Sequence, residues 1–376
     1  ITSCFALWGF ANDITNPMVK AFSKIFRMTV TDGALVQVAF YGGYFAMAFP
    51  AAMFIRRYSY KAGVLVGLGL YALGAFMFYP AKMTGEYYPF LIAYFILTCG
   101  LSFLETSSNP YILSMGTEET ATRRLNLAQS FNPMGSLLGM YVAMNFIQAK
   151  LNPLDTASRA DLTPAEFEAV KEYDLSVLIG PYLAIGLVIL AMFVLILFWR
   201  MPKNGDKNHN IDFVPTLRRI FAMPHYREGV IAQFFYVGVQ IMCWTFIIQY
   251  GTRVLMADGM AEQAAEVTSQ QYNILAMIIF CCSRFICTFL LRYVNTGRLL
   301  TVLAIVGGLL VVGVIGLQNI YGLYCLVGVS ACMSLMFPTI YGIALTGLGD
   351  DAKFGAAGLI MAILGGSVLP PFQAAI

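Results

Sequence analysis

Residues 299–349 read LLTVLAIVGGLLVVGVIGLQNIYGLYCLVGVSACMSLMFPTIYGIALTGLG and contain no charged side chain. A bilayer core about 30 Å thick is crossed by roughly 20 residues of α-helix, so this stretch is long enough for two spans. Gln318 and Asn319, followed by Tyr321-Gly322, provide turn-forming residues near its middle. The stretch therefore predicts two helices in lipid that reverse direction at 318–319.

The composition of the whole chain agrees with this prediction. Of its 376 residues, 59% are apolar and only 11% are charged, whereas soluble domains carry about a quarter charged residues. Most of the protein surface must therefore face lipid, and the lipid bilayer is the expected partner. The net charge is only +3 and no basic patch with interleaved aromatic residues is present, so we expect no nucleic-acid partner.

Similar apolar runs recur along the sequence, and together they predict eleven spans. The runs are the N-terminal stretch to about Phe22, Gly33–Ile55, Ala62–Ala81, Tyr87–Leu113, Leu125–Ala149, Leu175–Trp199, Gly229–Thr252, Val267–Leu291, the two halves of 299–349, and the stretch from about Phe354. Between the fifth and sixth runs, Thr163-Pro164-Ala165-Glu166 has the pattern of a capping box, which we expect to open a short surface helix.

Loop charges orient these spans. The short loops Arg56–Lys61 and Arg292–Arg298 are purely basic, and basic residues are more frequent on their side of the membrane than on the other. Because basic loops stay in the cytoplasm, the N-terminus is predicted to be cytoplasmic.

The sixth predicted span is followed by a polar, basic segment that contains both histidines, His209 and His225. We therefore predict a six-helix bundle at 1–200, a cytoplasmic linker at 201–227 and a second bundle at 228–376. The second bundle would hold five helices, with a twelfth span beyond Ile376. The predicted fold class is an all-α polytopic membrane protein with two pseudo-symmetric bundles, in which solute binds near the midplane between them.

Three charged residues fall well inside predicted spans, away from their ends: Asp13, Glu105 and Arg284. Such a residue costs about 2.5–3.5 kcal/mol at the membrane centre, so it usually faces a cavity or a partner. Glu105 shares a helical face with Ser108 and Asn109, which predicts a proton-carrying or ligand-binding role; a purely structural glutamate is the alternative. We expect Arg284 to lie near a helix end, where it would snorkel or pair structurally.

Amide and aromatic side chains form polar stripes on four spans. Hydroxyl-rich solutes suit this chemistry, since amides donate and accept hydrogen bonds while a flat ring packs on sugar C–H groups. Helix–helix contacts are the alternative for each stripe, and for the first span so is proximity to the membrane interface. The candidate binding residues are Asn16, Gln37, Tyr41, Asn109, Gln129, Asn132, Tyr236, Gln240 and Trp244.

Enzymatic function is not predicted. An intramembrane enzyme needs a nucleophile–base pair or a metal cluster, yet both histidines lie in the linker and none of the eight cysteines shows paired ligand spacing. We expect no cofactor and no metal. A non-transporting sensor on the same scaffold remains an alternative to a transporter.

Several motifs, in order along nearly the whole chain, resemble the fucose permease branch of the major facilitator superfamily, the fucose–galactose–glucose proton symporters. The most specific is RLNLAQSFN at 124–132, and the others are LWGFAND at 7–13, YSYKAG at 58–63, LETSSNP at 104–110, AQFFYVGVQ at 232–240 and FPTIY at 337–341.

This resemblance implies import of a monosaccharide with a proton by alternating access. L-fucose is the first expected substrate, and galactose or glucose comes next. Glu105 matches the proton-carrying glutamate of the family, and Gln129 and Asn132 match amides of its sugar cavity. The family's first-helix acid aligns with Asn16, whereas the acid here is Asp13, one turn earlier, so coupling rests mainly on Glu105. A bacterial inner membrane is also implied, and we expect a monomer. Uniport and sodium coupling remain open.

Overall fold

The computed structural model describes residues 1–15, 18–28, 32, 35–154, 158–159, 161–202 and 212–374. Over these ranges the secondary structure is helical, with no strand. The helices before the linker are α1 Thr2–Thr15, α2 Met18–Ile25, α3 Leu35–Arg57, α4 Tyr60–Thr84, α5 Tyr88–Ser114, α6 Ala121–Gln129, α7 Phe131–Val142 and α8 Pro164–Phe198. Those that follow are α9 Phe213–Ala222, α10 Pro224–Ala257, α11 Glu262–Leu290, α12 Thr296–Leu317, α13 Ile320–Met333, α14 Met336–Leu345, α15 Ala352–Met361 and α16 Gly365–Ala374.

Nine segments within the described ranges are long and apolar enough to cross a membrane. The predicted reversal at 318–319 is confirmed, since α12 ends at Leu317 and α13 begins at Ile320. The other two predicted spans are the first and the fifth. The first is described as α1 and α2, with residues 16–17 between them outside the described ranges, and the fifth is divided at Ser130 into α6 and α7.

The connection before the sixth span differs from the prediction. The capping box is present, with the Thr163 hydroxyl accepting from the Glu166 amide and Pro164 in the first turn. The predicted short surface helix is wrong, however, because α8 runs without interruption for 35 residues from Pro164 to Phe198. Pro164 suits a helix start. The next helix-breaking residues along the chain, Gly180-Pro181, lie inside the helix without ending it.

The linker also carries structure that the sequence analysis did not predict. Residues 203–211, which include His209, lie outside the described residues, but α9 occupies 213–222 within the predicted linker. α10 then begins at Pro224, a few residues before the predicted start of the second bundle.

Helices pack mainly with others on the same side of the linker. α5 packs along α3 and α4, α4 along α8, and α1 along α7; after the linker, α10 packs with α11, α13 and α16. The two sets meet where α15 contacts α3 and α5, where α14 contacts α6, and where α11 contacts α7. At Gly9 a Cβ atom would clash with the Asn132 carbonyl, so glycine there allows α1 and α7 to approach backbone to backbone.

Charged groups join the two helix sets at the end of the bundle where the linker lies, which we call the linker end; the opposite end is the far end. Arg56, at the end of α3, donates to the Asp350 carbonyl and lies 3.6 Å from the Asp351 carboxylate. The same carboxylate accepts from Arg219 of α9 at 2.9 Å. The Lys353 ammonium lies 4.6 Å from the centre of the Tyr60 ring. The linker end is therefore held closed across both sets.

A buried ion pair fixes the connection at the far end. The Arg159 guanidinium donates to the Asp174 carboxylate at 2.6 Å, and both side chains are fully buried. Arg159 also donates to the carbonyls of Leu154, Lys24 and Asn152. Through these bonds Arg159 ties the loop before α8 to α8 itself and to the end of α2.

We expect Asp174→Asn to lower the free energy of unfolding by about 3–5 kcal/mol, because it leaves a buried guanidinium without its counter-charge. The matched control is Glu168→Gln, which breaks the Glu168–Lys171 pair, in which the glutamate is exposed and the N–O distance is 2.9 Å. A surface pair of this kind contributes at most about 1 kcal/mol. Unfolding of both variants in detergent measures the difference, and equal stabilities would contradict this role for the buried pair.

Candidate functional site

A polar cavity lies between the two helix sets. Its wall comes from α1, α3, α5, α6 and α7 on one side and from α10, α11 and α14 on the other. The lining residues are Trp8, Asn12, Asp13, Tyr41, Tyr44, Glu105, Gln129, Asn132, Pro133, Ser136, Val237, Gln240, Ile241, Trp244, Met277, Phe280, Arg284, Phe337 and Ile363. The volume open to the centres of water molecules is about 110 Å³. Because one water needs roughly 10–15 Å³ by this measure, the cavity takes several waters or one small solute.

Glu105 is placed in the cavity wall by α5, the most buried of the candidate spans. Its side chain is only 6% exposed, and its Oε1 accepts a hydrogen bond from the Tyr44 hydroxyl at 3.0 Å. The Tyr44 carbonyl in turn accepts from the Ser102 hydroxyl, so two hydrogen bonds join α3 and α5 at Tyr44. An ionised carboxylate is costly in such a place, whereas a protonated one is not, and this difference is what a proton-carrying group requires.

Amides and indoles make up much of the remaining wall. Asn132 donates to the Phe5 carbonyl at 3.2 Å and so fixes α7 against α1. Trp244 donates to the Ser330 hydroxyl, and its ring meets the Phe280 ring edge-on at 4.9 Å. Gln240 lies one turn before Trp244 on the same face of α10. The wall thus combines hydrogen-bonding amides with flat rings, the combination that binds a hydroxyl-rich ring.

Arg284 lies six residues before the end of α11 and is buried in the cavity wall, with 3% of its side chain exposed, so snorkelling is wrong and the alternative, pairing within the protein, is what the structure has. It donates to the carbonyls of Gln129 and Ser334. Each of these carbonyls lies four residues before a proline, Pro133 or Pro338, which has no N–H to donate within the helix. Arg284 therefore satisfies two acceptors that the prolines leave free, one in each helix set.

The structure brings most of the predicted site residues together. Asp13, Tyr41, Glu105, Gln129, Asn132, Gln240 and Trp244 line the cavity. Tyr236 and Asn109 lie behind the wall: the Tyr236 hydroxyl donates to the Met333 carbonyl, and the Asn109 Oδ1 accepts from Gln129. Asn16 and the side chain of Gln37 lie outside the described residues.

Sequence reasoning did not select Arg284, Tyr44 or Trp8 as binding residues. For Arg284 a signal existed, because an arginine within a span must find partners and Pro133 and Pro338 each create one. For Tyr44 the signal was its position three residues after Tyr41 on α3, which places both rings on one face.

The sequence profile of the Major Facilitator Superfamily matches residues 1–370. This chain belongs to that superfamily. Its helices and the placement of the cavity between two helix sets agree with that membership.

Named relatives within the superfamily are similar over nearly the whole chain. An L-fucose-proton symporter of Haemophilus influenzae is 51% identical over 381 residues, which cover 99% of this chain and 87% of the relative. An L-fucose-proton symporter of Escherichia coli is 32% identical over 377 residues, which cover 99% of this chain and 84% of the relative. The crystal structure of the superfamily transporter FucP in the outward conformation superposes with a TM-score of 0.89 at 32% identity, covering 100% of this chain and 90% of that one.

Proposed function

We propose that this protein is a proton-coupled symporter that imports L-fucose by alternating access. The observation that carries the proposal is the buried Glu105 carboxyl in the wall of a cavity that both helix sets line with amides and aromatic rings. The 51% identity to a protein named as an L-fucose-proton symporter supports L-fucose as the first substrate to test.

In this mechanism the protonated, neutral Glu105 accompanies sugar binding in the cavity. Asp13, in the same wall, is the second acidic candidate, and Gln129, Asn132, Gln240 and Trp244 bind the sugar. The halves then rock so that the far end closes and the linker end opens, which requires the Arg56–Asp351 contact to separate. Loss of the proton on the new side leaves a charged carboxylate in the wall of the occupied site and so favours release of the sugar.

The domain organisation is part of the proposal. Residues 1–200 form one moving half, 228–376 form the other, and 201–227 link them. The basic loops support a cytoplasmic linker end and a cytoplasmic N-terminus, so the arrangement described above, with its closed linker end, faces outward. The protein would act as a monomer in a bacterial inner membrane.

Uptake of L-fucose into proteoliposomes, with and without an inward proton gradient, tests this function. We expect accumulation only with the gradient. Accumulation of galactose or glucose instead would change the substrate and keep the mechanism, while a requirement for sodium would replace the coupling ion. Equilibration without accumulation under every gradient would indicate a uniporter, and no movement of any sugar would contradict transport and favour a sensor.

A further inference from the structure

A second group of polar side chains lies between the halves, outside the cavity. Asn109, Asn126, Thr339 and Tyr341, here called the dry cluster, are each fully buried. The Asn126 amide donates to the Thr339 hydroxyl at 3.2 Å, which joins α6 of one half to α14 of the other. None of the four lines the cavity described above.

The dry cluster continues the cavity wall toward the linker end. Asn109 lies one helical turn beyond Glu105 on α5, and Tyr341 lies one turn beyond Phe337 on α14. Asn126 lies one turn before Gln129 on α6, which also leads toward the linker end. Residues three or four apart share a helical face, so three helices from both halves extend the same wall in the same direction by about 5 Å.

Several atoms of the cluster have no hydrogen-bond partner within 3.5 Å, although the Asn109 amide and the Tyr341 hydroxyl lie close enough to interact with each other. These atoms are the Asn109 Nδ2, the Asn126 Oδ1 and the Tyr341 hydroxyl, all buried. Buried polar groups are normally satisfied, and contacts that serve only to join helices would leave few of them open. The cluster therefore has a strong amide donor, an amide acceptor and a hydroxyl available, and sugar hydroxyls, which both donate and accept, complement all three.

We propose that the dry cluster is an exit site, a second subsite that binds the hydroxyl-rich solute after the linker end has opened and before the solute leaves. This site rests on the proposed transport function. In the arrangement described here the halves meet across it and keep it closed, as the Asn126–Thr339 contact and the ion pairs of the linker end show. Separation of α6 from α14 would break the Asn126–Thr339 hydrogen bond and expose the four polar side chains of the dry cluster to the departing sugar.

The exit site makes the two sides of the membrane respond differently to Tyr341→Phe. We expect the KM for sugar presented at the linker end to rise about three- to tenfold, the value of one neutral hydrogen bond. The KM at the far end should change less than about twofold, since the hydroxyl does not line the cavity. Thermal stability should change little, because the closed arrangement loses no hydrogen bond shorter than 3.5 Å. Right-side-out and inside-out vesicles give the two KM values.

The matched control is Tyr250→Phe. The Tyr250 hydroxyl donates to the Val314 carbonyl at 3.0 Å, within one half and outside the cavity wall. This variant should lower thermal stability and leave both KM values unchanged. Thr339→Val provides a second variant of the cluster, for which we expect the same one-sided rise in KM, because the Thr339 hydroxyl accepts from Asn126, which does not line the cavity.

The outcomes separate this proposal from the function on which it rests. If the wild type moves sugar and both cluster variants keep the wild-type ratio of linker-end to far-end KM, the exit site is wrong and the transport function stands. Equal increases on both sides would likewise overturn it, since they would place the cluster in the main cavity. If the wild type moves no sugar from either side, the function and the exit site fall together.

Discussion

Glu105→Gln is expected to abolish uphill accumulation of sugar while sugar exchange across the membrane continues. Glutamine resembles the protonated acid in shape and charge and can still meet the Tyr44 hydroxyl, which now lies 3.0 Å from the carboxyl. It cannot release a proton, however, so binding is uncoupled from the gradient. With one proton per sugar, a gradient of one pH unit supplies about 1.4 kcal/mol and supports an accumulation ratio of about ten. The variant should reach a ratio of about one.

The control for this experiment is Glu86→Gln, which removes an exposed carboxyl at the far end. It should accumulate sugar as the wild type does. Asp13→Asn, measured in parallel, shows whether the acid of the first helix shares the coupling. Gradient-driven accumulation by Glu105→Gln at the wild-type ratio would remove Glu105 from the mechanism.

Arg284→Lys is expected to lower the free energy of unfolding by about 1–3 kcal/mol and to slow transport about tenfold. The guanidinium is a planar fork that serves the Gln129 and Ser334 carbonyls together, whereas the ammonium of lysine is a point charge. The charge stays buried in the variant, so the difference reports the hydrogen bonds rather than the charge. One orphaned buried carbonyl accounts for the expected loss of stability. Transport slows because Arg284 holds the backbone of Gln129, a sugar-binding residue of the opposite half, and lysine holds it less firmly.

A double-mutant cycle with Pro133→Ala tests the cause. Alanine restores an N–H that can donate to the Gln129 carbonyl, so that carbonyl no longer depends on Arg284. Arg284→Lys should then cost less stability in the Pro133→Ala background, by about 1 kcal/mol, as for residues that share a partner. Costs that add within about 0.5 kcal/mol would show that the proline and the arginine are independent. Unfolding in mixed detergent micelles gives all four values.

Much of the architecture could be predicted because lipid imposes simple rules. The uncharged run at 299–349 and the break at 318–319 were sufficient to place two helices. Interruptions within spans were harder to predict. The break between α6 and α7 at Ser130 falls inside an uncharged run, Leu125–Ala149, that has the length of one continuous span. The continuity of α8 was also missed, because the capping box at Thr163 marks where a helix begins and not where it ends.

The candidate site could be predicted in its residue types but not in its partners. Glu105, Gln129 and Trp244 are polar or amphipathic groups within apolar spans, and this is visible in sequence. Whether Asn109 faces the cavity or lies one turn behind it depends on how α5 is rotated against α14, which no local pattern determines. The sequence shows that Pro133 and Pro338 each free a backbone carbonyl, but these prolines are more than 100 residues apart, so only the packed helices show that Arg284 reaches both carbonyls.

The movement of protons on addition of sugar is the most direct test of symport. Proteoliposomes of the full-length protein, loaded with a pH-sensitive dye and held without any imposed gradient, would receive L-fucose outside. We predict acidification of the lumen that follows sugar entry, is absent on addition of a sugar that is not transported, and is lost in Glu105→Gln. Entry of L-fucose with no change in luminal pH would contradict proton coupling.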